Sequence, residues 1–165
     1  MDNLNIETTV LDTLERLSIA YTLIDIDPEF ADTMAFCKKY GYPIENSGNT
    51  IIVASKKGPP KYAACLVKAS DKLDVNVTVR GIMDVRRLSF ASSEQTVSLT
   101  GMEIGGVTPL ALPEQVPIYV DAKIMELDYV ILGLGSRKSK LKIKPKNIMH
   151  IPNLRVISDL SIKGS

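Results

Sequence analysis

Residues 49–69 of the chain read NTIIVASKKGPPKYAACLVKA and contain two apolar, strand-like runs. Residues 49–55 and 61–69 are rich in the β-branched and aliphatic residues that are typical of strands. The segment KKGPP between the two runs holds the glycine and prolines of a turn. The stretch therefore predicts a β-hairpin, around which the other elements can be placed.

The sequence on both sides of this hairpin alternates helical and strand-like segments. Val10, Leu14 and Leu17 fall on one face of a helix, and residues 27–41 have the Asp-Pro start and the glycine stop of another. Helices are predicted over 8–18, 27–41, 73–83, 92–101 and 145–151, and further strands over 20–26, 87–91, 116–120, 129–135, 140–144 and 155–160. This interleaving, with recurring short hairpins, indicates an α/β or α+β fold built on a mixed sheet.

Length and composition are those of an ordinary globular chain. The 165 residues suffice for a sizeable core without disulfides or metals, and no repeat or linker divides them, so one domain over 1–165 is expected. The hydrophobic fraction of 45% and the charged fraction of 24% fit this class. No apolar run approaches the ~20 residues that span a bilayer. Residues 1–4 lack the features of a signal peptide, and a soluble, cytoplasmic protein is expected.

The cysteines and the histidine restrict the chemistry that the chain can carry. Cys37 and Cys65 lie in a predicted helix and a predicted strand, which favours buried structural thiols over a redox pair. His150 is the single histidine, so a His-rich metal site is excluded and a Ser-His-Asp or Cys-His site would have to use it. Its apolar surroundings favour a packed or half-exposed side chain. The net charge of +1 means that any surface for nucleic acid must be local.

One such local surface is the segment SRKSKLKIKPK, residues 136–146, which has six Lys or Arg residues and no acid. In a strand over 138–144, alternation places four lysines on one face, namely Lys138, Lys140, Lys142 and Lys144. These lysines fit a solvated edge strand that is protected from aggregation. They also fit a stripe that binds phosphates, since lysine favours backbone contacts over base recognition.

The segment GMEIGGVTP, residues 101–109, is called the glycine loop below. Its glycines do not have the spacing of a dinucleotide-binding fingerprint, and no Lys-Ser/Thr pair follows as in a P-loop. Closely spaced glycines permit a tight turn with exposed backbone N–H groups, which can bind an anion or a carbonyl oxygen. A structural corner explains the same pattern equally well, and the loop by itself leaves both readings open.

The longer segment TGMEIGGVTPLALPEQVPIYVDAKIMELDYVILGLGSRKSKLKIKP, residues 100–145, resembles the YbaK-type aminoacyl-tRNA deacylase family. That family is related to the editing domain inserted in bacterial prolyl-tRNA synthetases. The resemblance is carried by Gly101, the Gly105–Pro109 run, an apolar strand ending in Asp121, the GLGSR of 133–137 and a helix that starts with proline. It implies a compact, partly curled mixed sheet flanked by helices. The implied activity is hydrolysis of the ester between a wrong amino acid and the terminal adenosine of tRNA, without metal or cofactor.

The resemblance also implies roles for individual residues. Gly105, Gly106 and Thr108 would line the aminoacyl pocket, where N–H donors stabilise the negative charge that develops on the ester carbonyl. Water, or a hydroxyl of the substrate, would be the nucleophile. Asp121 would orient that water or the terminal ribose, although an N-cap of a following helix explains this aspartate nearly as well.

The sequence departs from the family at one position of consequence. Many members carry a lysine where this chain has Asn49, followed by Thr50. An asparagine donates and accepts hydrogen bonds without a charge, and losing a charge-assisted contact costs about 1.5–3 kcal/mol, or ~10–100-fold in rate. Lys68 could compensate if Asn49 faced Leu66 in the hairpin, whereas a slip of one residue would move Lys68 to the opposite face. A solvated lysine at a strand end is the simpler interpretation of Lys68.

The sequence therefore predicts a trans-editing deacylase whose expected partners are the aminoacylated end of tRNA and an aminoacyl-tRNA synthetase, with no membrane or metal. The expected catalytic residues are Asn49, Gly105, Gly106, Thr108 and Asp121. The expected substrate-binding residues are Thr50, Gly101, Pro109, Ser136 and Arg137. The expected phosphate contacts are Lys138, Lys140, Lys142 and Lys144. A binder that does not hydrolyse its ligand, and a protein-interaction domain of the same fold, are the alternatives.

Overall fold

The computed structural model describes residues 3–164 and contains short helices around mixed sheets. The α-helices are α1 (Asn3–Arg16), α2 (Thr33–Tyr40), α3 (Arg80–Met83) and α4 (Ser93–Thr100). The strands are β1 (Thr22–Asp25), β2 (Gly48–Ser55), β3 (Tyr62–Lys68), β4 (Asp71–Leu73), β5 (Leu88–Phe90), β6 (Ile118–Asp121), β7 (Val130–Gly133), β8 (Ser139–Ile143), β9 (Leu154–Ile157) and β10 (Ser161–Lys163). Single-turn helices cover Pro28–Phe30, Ile44–Asn46, Val75–Val79, Pro109–Ala111, Ala122–Glu126 and Pro145–His150.

The largest sheet, called the central sheet, has five strands in the order β5-β2-β3-β6-β9. β2 pairs antiparallel with β3 and with β5, whereas β6 runs parallel to β3 and to β9. The predicted hairpin and the predicted mixed sheet are both confirmed, and the class is α+β. β4 and β10 form a separate two-stranded ribbon.

The observed register of the hairpin places Lys68 on the opposite face of the sheet from Asn49. Ala54 pairs with Tyr62 rather than with Lys61, so Asn49 faces Val67 and Lys68 faces Gly48. Side chains alternate along a strand, and Lys68 therefore lies on the opposite face from Asn49. The expectation that Lys68 could replace a cation at position 49 is wrong.

A second sheet, called the outer sheet, has three antiparallel strands in the order β1-β8-β7. One face packs on α1 in the main core, where Val10 and Leu14 contact the cluster that contains Leu132 and Leu141. The other face is covered by α2, whose Phe36 is fully buried in a cluster with Ile131. The outer sheet is thus enclosed by helices on both faces, which buries residues that alternation alone would assign to solvent.

The predicted helix over 27–41 is interrupted. Asp27 caps the turn Pro28–Phe30 by accepting a hydrogen bond from the Glu29 N–H at 3.0 Å. The chain then becomes extended at Asp32, the N-cap of α2, which ends at a left-handed Gly41. The Asp-Pro start and the glycine stop were therefore predicted correctly, but they belong to two helices.

The predicted helix over 73–83 is present as the turn Val75–Val79 followed by α3. Asp74 caps it by accepting from the Val77 N–H, which explains why a β-rich segment is helical. Cys37 and Cys65 are buried free thiols, as expected, and burial raises the pKa of the Cys65 thiol to about 12. None of the helices in residues 3–164 is long and apolar enough to cross a membrane.

Candidate functional site

A cavity of about 310 Å³, called the site cavity, lies between the start of β2 and the glycine loop. It exists because β5 pairs with Val53–Ser55 only, and the Ala91 N–H donates to the Ile52 carbonyl at the last point of contact. Beyond that point this edge of β2 is not covered by β5. Residues of several separate elements line the cavity, including Asp32, Thr33, Asn49, Thr50, Phe90, Ile104, Gly105, Gly133 and Lys140.

β2 contributes polar groups to the site cavity through Asn49 and Thr50. The Asn49 Oδ1 accepts a hydrogen bond of 2.8 Å from the Thr33 hydroxyl at the start of α2. No partner for the Asn49 amide NH₂ occurs within residues 3–164. The Thr50 Oγ1 is buried and also lacks a partner among the described residues. The Asn49 NH₂ and the buried Thr50 hydroxyl are therefore unsatisfied polar groups on residues of the cavity wall.

The glycine loop is held against β7 and the segment that follows it. A Cβ at Gly106 would overlap the backbone of Ser136, and one at Gly133 would overlap the backbone of Gly106. The Gly135 N–H donates to the Gly106 carbonyl at 2.7 Å, and the Gly106 N–H donates to the Glu103 carbonyl at 2.8 Å. Gly106 therefore serves as a structural corner, which is one of the two interpretations that the sequence leaves open for the glycine loop.

Gly105, by contrast, lines the site cavity and has a positive φ of 94°. A side chain there would be strained, and its Cβ would contact Arg137 and Asp32. The Gly105 N–H has no acceptor among residues 3–164. This glycine thus brings an unused backbone donor to the cavity, which is the other reading of the loop.

Lys140 is the cationic side chain of the cavity wall, and its position contradicts the predicted solvent-facing stripe. In the outer sheet it pairs with Ile24 on one side and Gly133 on the other. Its Nζ lies 3.3 Å from the Gly105 carbonyl oxygen and 5.2 Å from the centre of the Phe36 ring. The residue is only 6% exposed, and burial lowers its pKa from 10.5 to about 8.

The other predicted phosphate contacts, Lys138, Lys142 and Lys144, are exposed. Lys142 lies on the same face of β8 as Lys140, with its Nζ 4.3 Å from the centre of the Tyr129 ring. The difference between Lys140 and its neighbours comes from α2, which covers the strand at Lys140. Lys140 is therefore a residue of the site cavity and not a surface contact for phosphates.

Asp121 does not line the site cavity. It is fully buried at the end of β6 and accepts hydrogen bonds from the Lys123 N–H, at 3.1 Å, and from the Ser161 hydroxyl. It is the N-cap of the turn Ala122–Glu126. The structure thus shows the capping role that was the alternative to orienting a water or a ribose.

Most of the remaining predicted residues support the glycine loop from outside the cavity. Within the loop, Gly101 is the left-handed cap of α4, and Thr108 and Pro109 at its end are buried. The buried Ser136 donates to Glu7 on α1. Arg137 holds the loop to the start of α2 by donating to Asp32 and to the Ile104 carbonyl. Of the predicted site, the cavity brings together Asn49, Thr50, Gly105 and Lys140, and the residues just named in this paragraph are not part of its wall.

Sequence reasoning missed several residues of the wall. Asp32 and Thr33 come from the start of α2, and Phe90 from the end of β5. The prediction of one continuous helix over 27–41 overlooks the second helix start, at the N-cap Asp32, and with it these first two residues. The sequence carries no signal for the burial of Lys140, because α2 covers this position through Phe36.

Comparison with known families identifies one match. The model of the aminoacyl-tRNA editing domain matches residues 27–151, a range that contains every residue of the site cavity named above. Uncharacterized protein YwhH of Bacillus subtilis strain 168 is 30% identical over 69 residues, which are 42% of this chain and 44% of that protein. The alignment with this curated relative therefore spans less than half of its length.

Two solved structures share the fold over almost the whole chain. Hypothetical protein APE2540 has a TM-score of 0.82 and 22% identity, covering 93% of this chain and 99% of its own. A proposed trans-editing enzyme for prolyl-tRNA synthetase has a TM-score of 0.80 and 18% identity, covering 99% of both chains. At these identities the likeness concerns the fold.

Proposed function

The chain belongs to the aminoacyl-tRNA editing domain family, and from this we propose that it is a deacylase that hydrolyses the ester of mischarged tRNA in trans. The observation that carries the proposal is a single cavity, inside the matched range, that combines unused hydrogen-bond donors with a buried ammonium group. Nucleophilic attack on an ester forms a tetrahedral intermediate with negative charge on the former carbonyl oxygen, and such donors stabilise that charge.

The cavity wall offers neutral donors for this oxygen. The Gly105 N–H and the NH₂ end of the Asn49 amide both lack an acceptor within the described part of the chain. The Thr33 hydroxyl fixes the Asn49 side chain by donating to its Oδ1, which leaves the NH₂ end as the donor. We propose water, or a hydroxyl of the substrate itself, as the nucleophile, and no step in this scheme requires a cofactor.

The exposed lysines of β8 give a path for the nucleic acid. Lys142 lies two residues beyond Lys140 on the same face of the strand, about 7 Å along it, and Lys144 follows. An RNA strand whose aminoacyl end occupies the cavity would pass these side chains, and Lys138 lies at the other end of the strand. Exposed lysines suit phosphates irrespective of sequence. A synthetase partner and a cytoplasmic site of action belong to the same proposal.

A panel of tRNAs, each charged with a different amino acid, tests the proposal directly. Release of amino acid above the spontaneous rate, with excess tRNA over protein, is the expected result for at least one substrate. Turnover of none of them, by protein that is folded by circular dichroism, would remove the enzymatic claim.

A second candidate function is binding of an aminoacyl-tRNA end without hydrolysis. The observation in its favour is Asn49 itself, which is uncharged and already held by Thr33. Asn49→Lys and Asn49→Ala separate the two functions. Hydrolysis that appears only in Asn49→Lys identifies a binder, whereas an active native protein that loses activity in Asn49→Ala identifies an enzyme that uses this amide.

A further inference from the structure

Lys140 is a buried ammonium group, only 6% exposed, with α2 and the glycine loop packed over it. Within residues 3–164 it has no carboxylate at ion-pair distance. Burying an unpaired charge is expensive, so a protein retains one where a partner arrives later or where the charge is used.

The contacts of Lys140 leave part of its hydrogen-bonding capacity unused. An ammonium group has three N–H donors, and the described residues supply one acceptor, the Gly105 carbonyl, together with the face of the Phe36 ring. Both contacts orient the Nζ without neutralising it. The remaining N–H donors of Lys140 are unused, and Lys140 lines the same cavity as Asn49 and Gly105.

We propose that Lys140 is the cationic group of this site, contacting the ester or the terminal ribose of the aminoacyl end in place of the lysine that related proteins carry at position 49. The proposal rests on the proposed function. Asn49 and Lys140 come from different sheets, yet both line one cavity. A positively charged side chain on β8 can therefore contact the same ligand as a positively charged side chain on β2.

The surroundings of Lys140 fit a proton-sensitive cation. Cys37 and Asp32 favour the charged form and Arg137 disfavours it, while burial lowers the pKa of Lys140 to about 8. The ammonium form is therefore present at neutral pH, and a ligand with negative charge would hold it charged.

The alternative is that Lys140 only holds the glycine loop through the Gly105 carbonyl. Lys140→Met removes the amine and keeps the apolar stem, so the side chain still fills the space under Phe36. Lys140→Arg retains the charge, and Lys72→Met is the matched control, because Lys72 is an exposed lysine on another strand. All variants are first compared by thermal unfolding.

The experiment measures hydrolysis of the best mischarged tRNA and binding of a non-hydrolysable amide analogue of aminoacyl-adenosine. In Lys140→Met we expect kcat/KM to fall by about 10–100-fold, mainly in kcat, and analogue binding to weaken, with partial recovery in Lys140→Arg. The double variant Asn49→Lys/Lys140→Met should have a kcat/KM at least tenfold higher than that of Lys140→Met alone. Lys72→Met should match the native protein.

The two proposals fail in different ways. If the native protein hydrolyses none of the charged tRNAs, the deacylase proposal fails, and analogue binding still tests Lys140. If a folded Lys140→Met hydrolyses its substrate and binds the analogue within threefold of the native protein, Lys140 is a structural support of the loop and this inference is overturned.

Discussion

Arg137 and Asp32 join the glycine loop to the start of α2. The Arg137 Nη1 lies 3.0 Å from the Asp32 Oδ1 and 2.8 Å from the Ile104 carbonyl oxygen. The Nη2 of the same guanidinium donates to the Pro28 carbonyl at 3.0 Å. One side chain therefore ties together two of the walls that enclose the site cavity.

Replacing Arg137 should cost more stability than replacing its acidic partner. Arg137→Ala removes three hydrogen bonds, and since the side chain is 30% exposed we expect a loss of about 1–2 kcal/mol in the free energy of unfolding. Asp32→Asn should cost less than about 1 kcal/mol, because the Asp32 side chain is 70% exposed. Urea unfolding measures both, and equal losses would show that the ion pair dominates.

The packing of Gly106 predicts a sharp contrast between two glycine substitutions. In Gly106→Ala the new methyl group would overlap the Ser136 backbone, so we expect a loss of about 1–3 kcal/mol. Gly81→Ala is the control, since a Cβ at Gly81 in α3 meets nothing within 4 Å and alanine favours helix by about 0.5–1 kcal/mol. Chemical unfolding should show opposite signs, and a neutral Gly106→Ala would contradict the close approach.

The sequence was sufficient for the fold class and for most elements, because alternation, capping residues and turn residues are local signals. The hairpin around KKGPP and the Asp-Pro start and glycine stop of residues 27–41 illustrate this. The register of the hairpin could not be predicted, because pairing Ala54 with Tyr62 instead of Lys61 depends on the geometry of the turn. The break before α2 was also missed, because the Asp-Pro start and the glycine stop fit one continuous helix, and the N-cap at Asp32 marks a second start within it.

The site was predictable where a residue type alone implied it and unpredictable where packing decided it. Gly105 and Asn49, which line the cavity, were singled out through the glycine pattern and through the resemblance to a family with a lysine at position 49. Lys140 was assigned to solvent because its strand alternates lysines with apolar residues, and only α2, through Phe36, distinguishes it from Lys142. Burial by an element that is distant in sequence leaves no local pattern to detect.

Binding of tRNA should depend on salt through the exposed lysines of β8. If Lys142 and Lys144 each contact a phosphate, the double variant Lys142→Gln/Lys144→Gln should reduce the slope of log K against log salt by about 1.4–1.8. Lys72→Gln/Lys163→Gln is the matched control, since both residues are exposed on the β4–β10 ribbon. Affinities from fluorescence anisotropy at several salt concentrations give the slopes, and identical slopes would exclude this path for the RNA.

Burial of Lys140 also predicts how stability changes with pH. Its pKa is about 8 in the folded protein and 10.5 when solvated, so between these values the unfolded chain binds more protons. The contribution of Lys140 to the free energy of unfolding is therefore lowest below pH 8 and rises as the pH increases toward 10.5. Compared at pH 7 and pH 9.5, the native protein should gain stability relative to Lys140→Met. A constant difference between the two would contradict a depressed pKa.

The same titration should appear in the rate, with the opposite consequence for activity. If the ammonium form of Lys140 contacts the ester, log kcat/KM should fall above pH 8 with a slope approaching −1, as the group loses its proton. The spontaneous hydrolysis of the ester also rises with pH and must be subtracted at each point. Lys140→Arg should lack this limb, because arginine stays protonated throughout the range. A descending limb that persists in Lys140→Arg would assign the titration to another group.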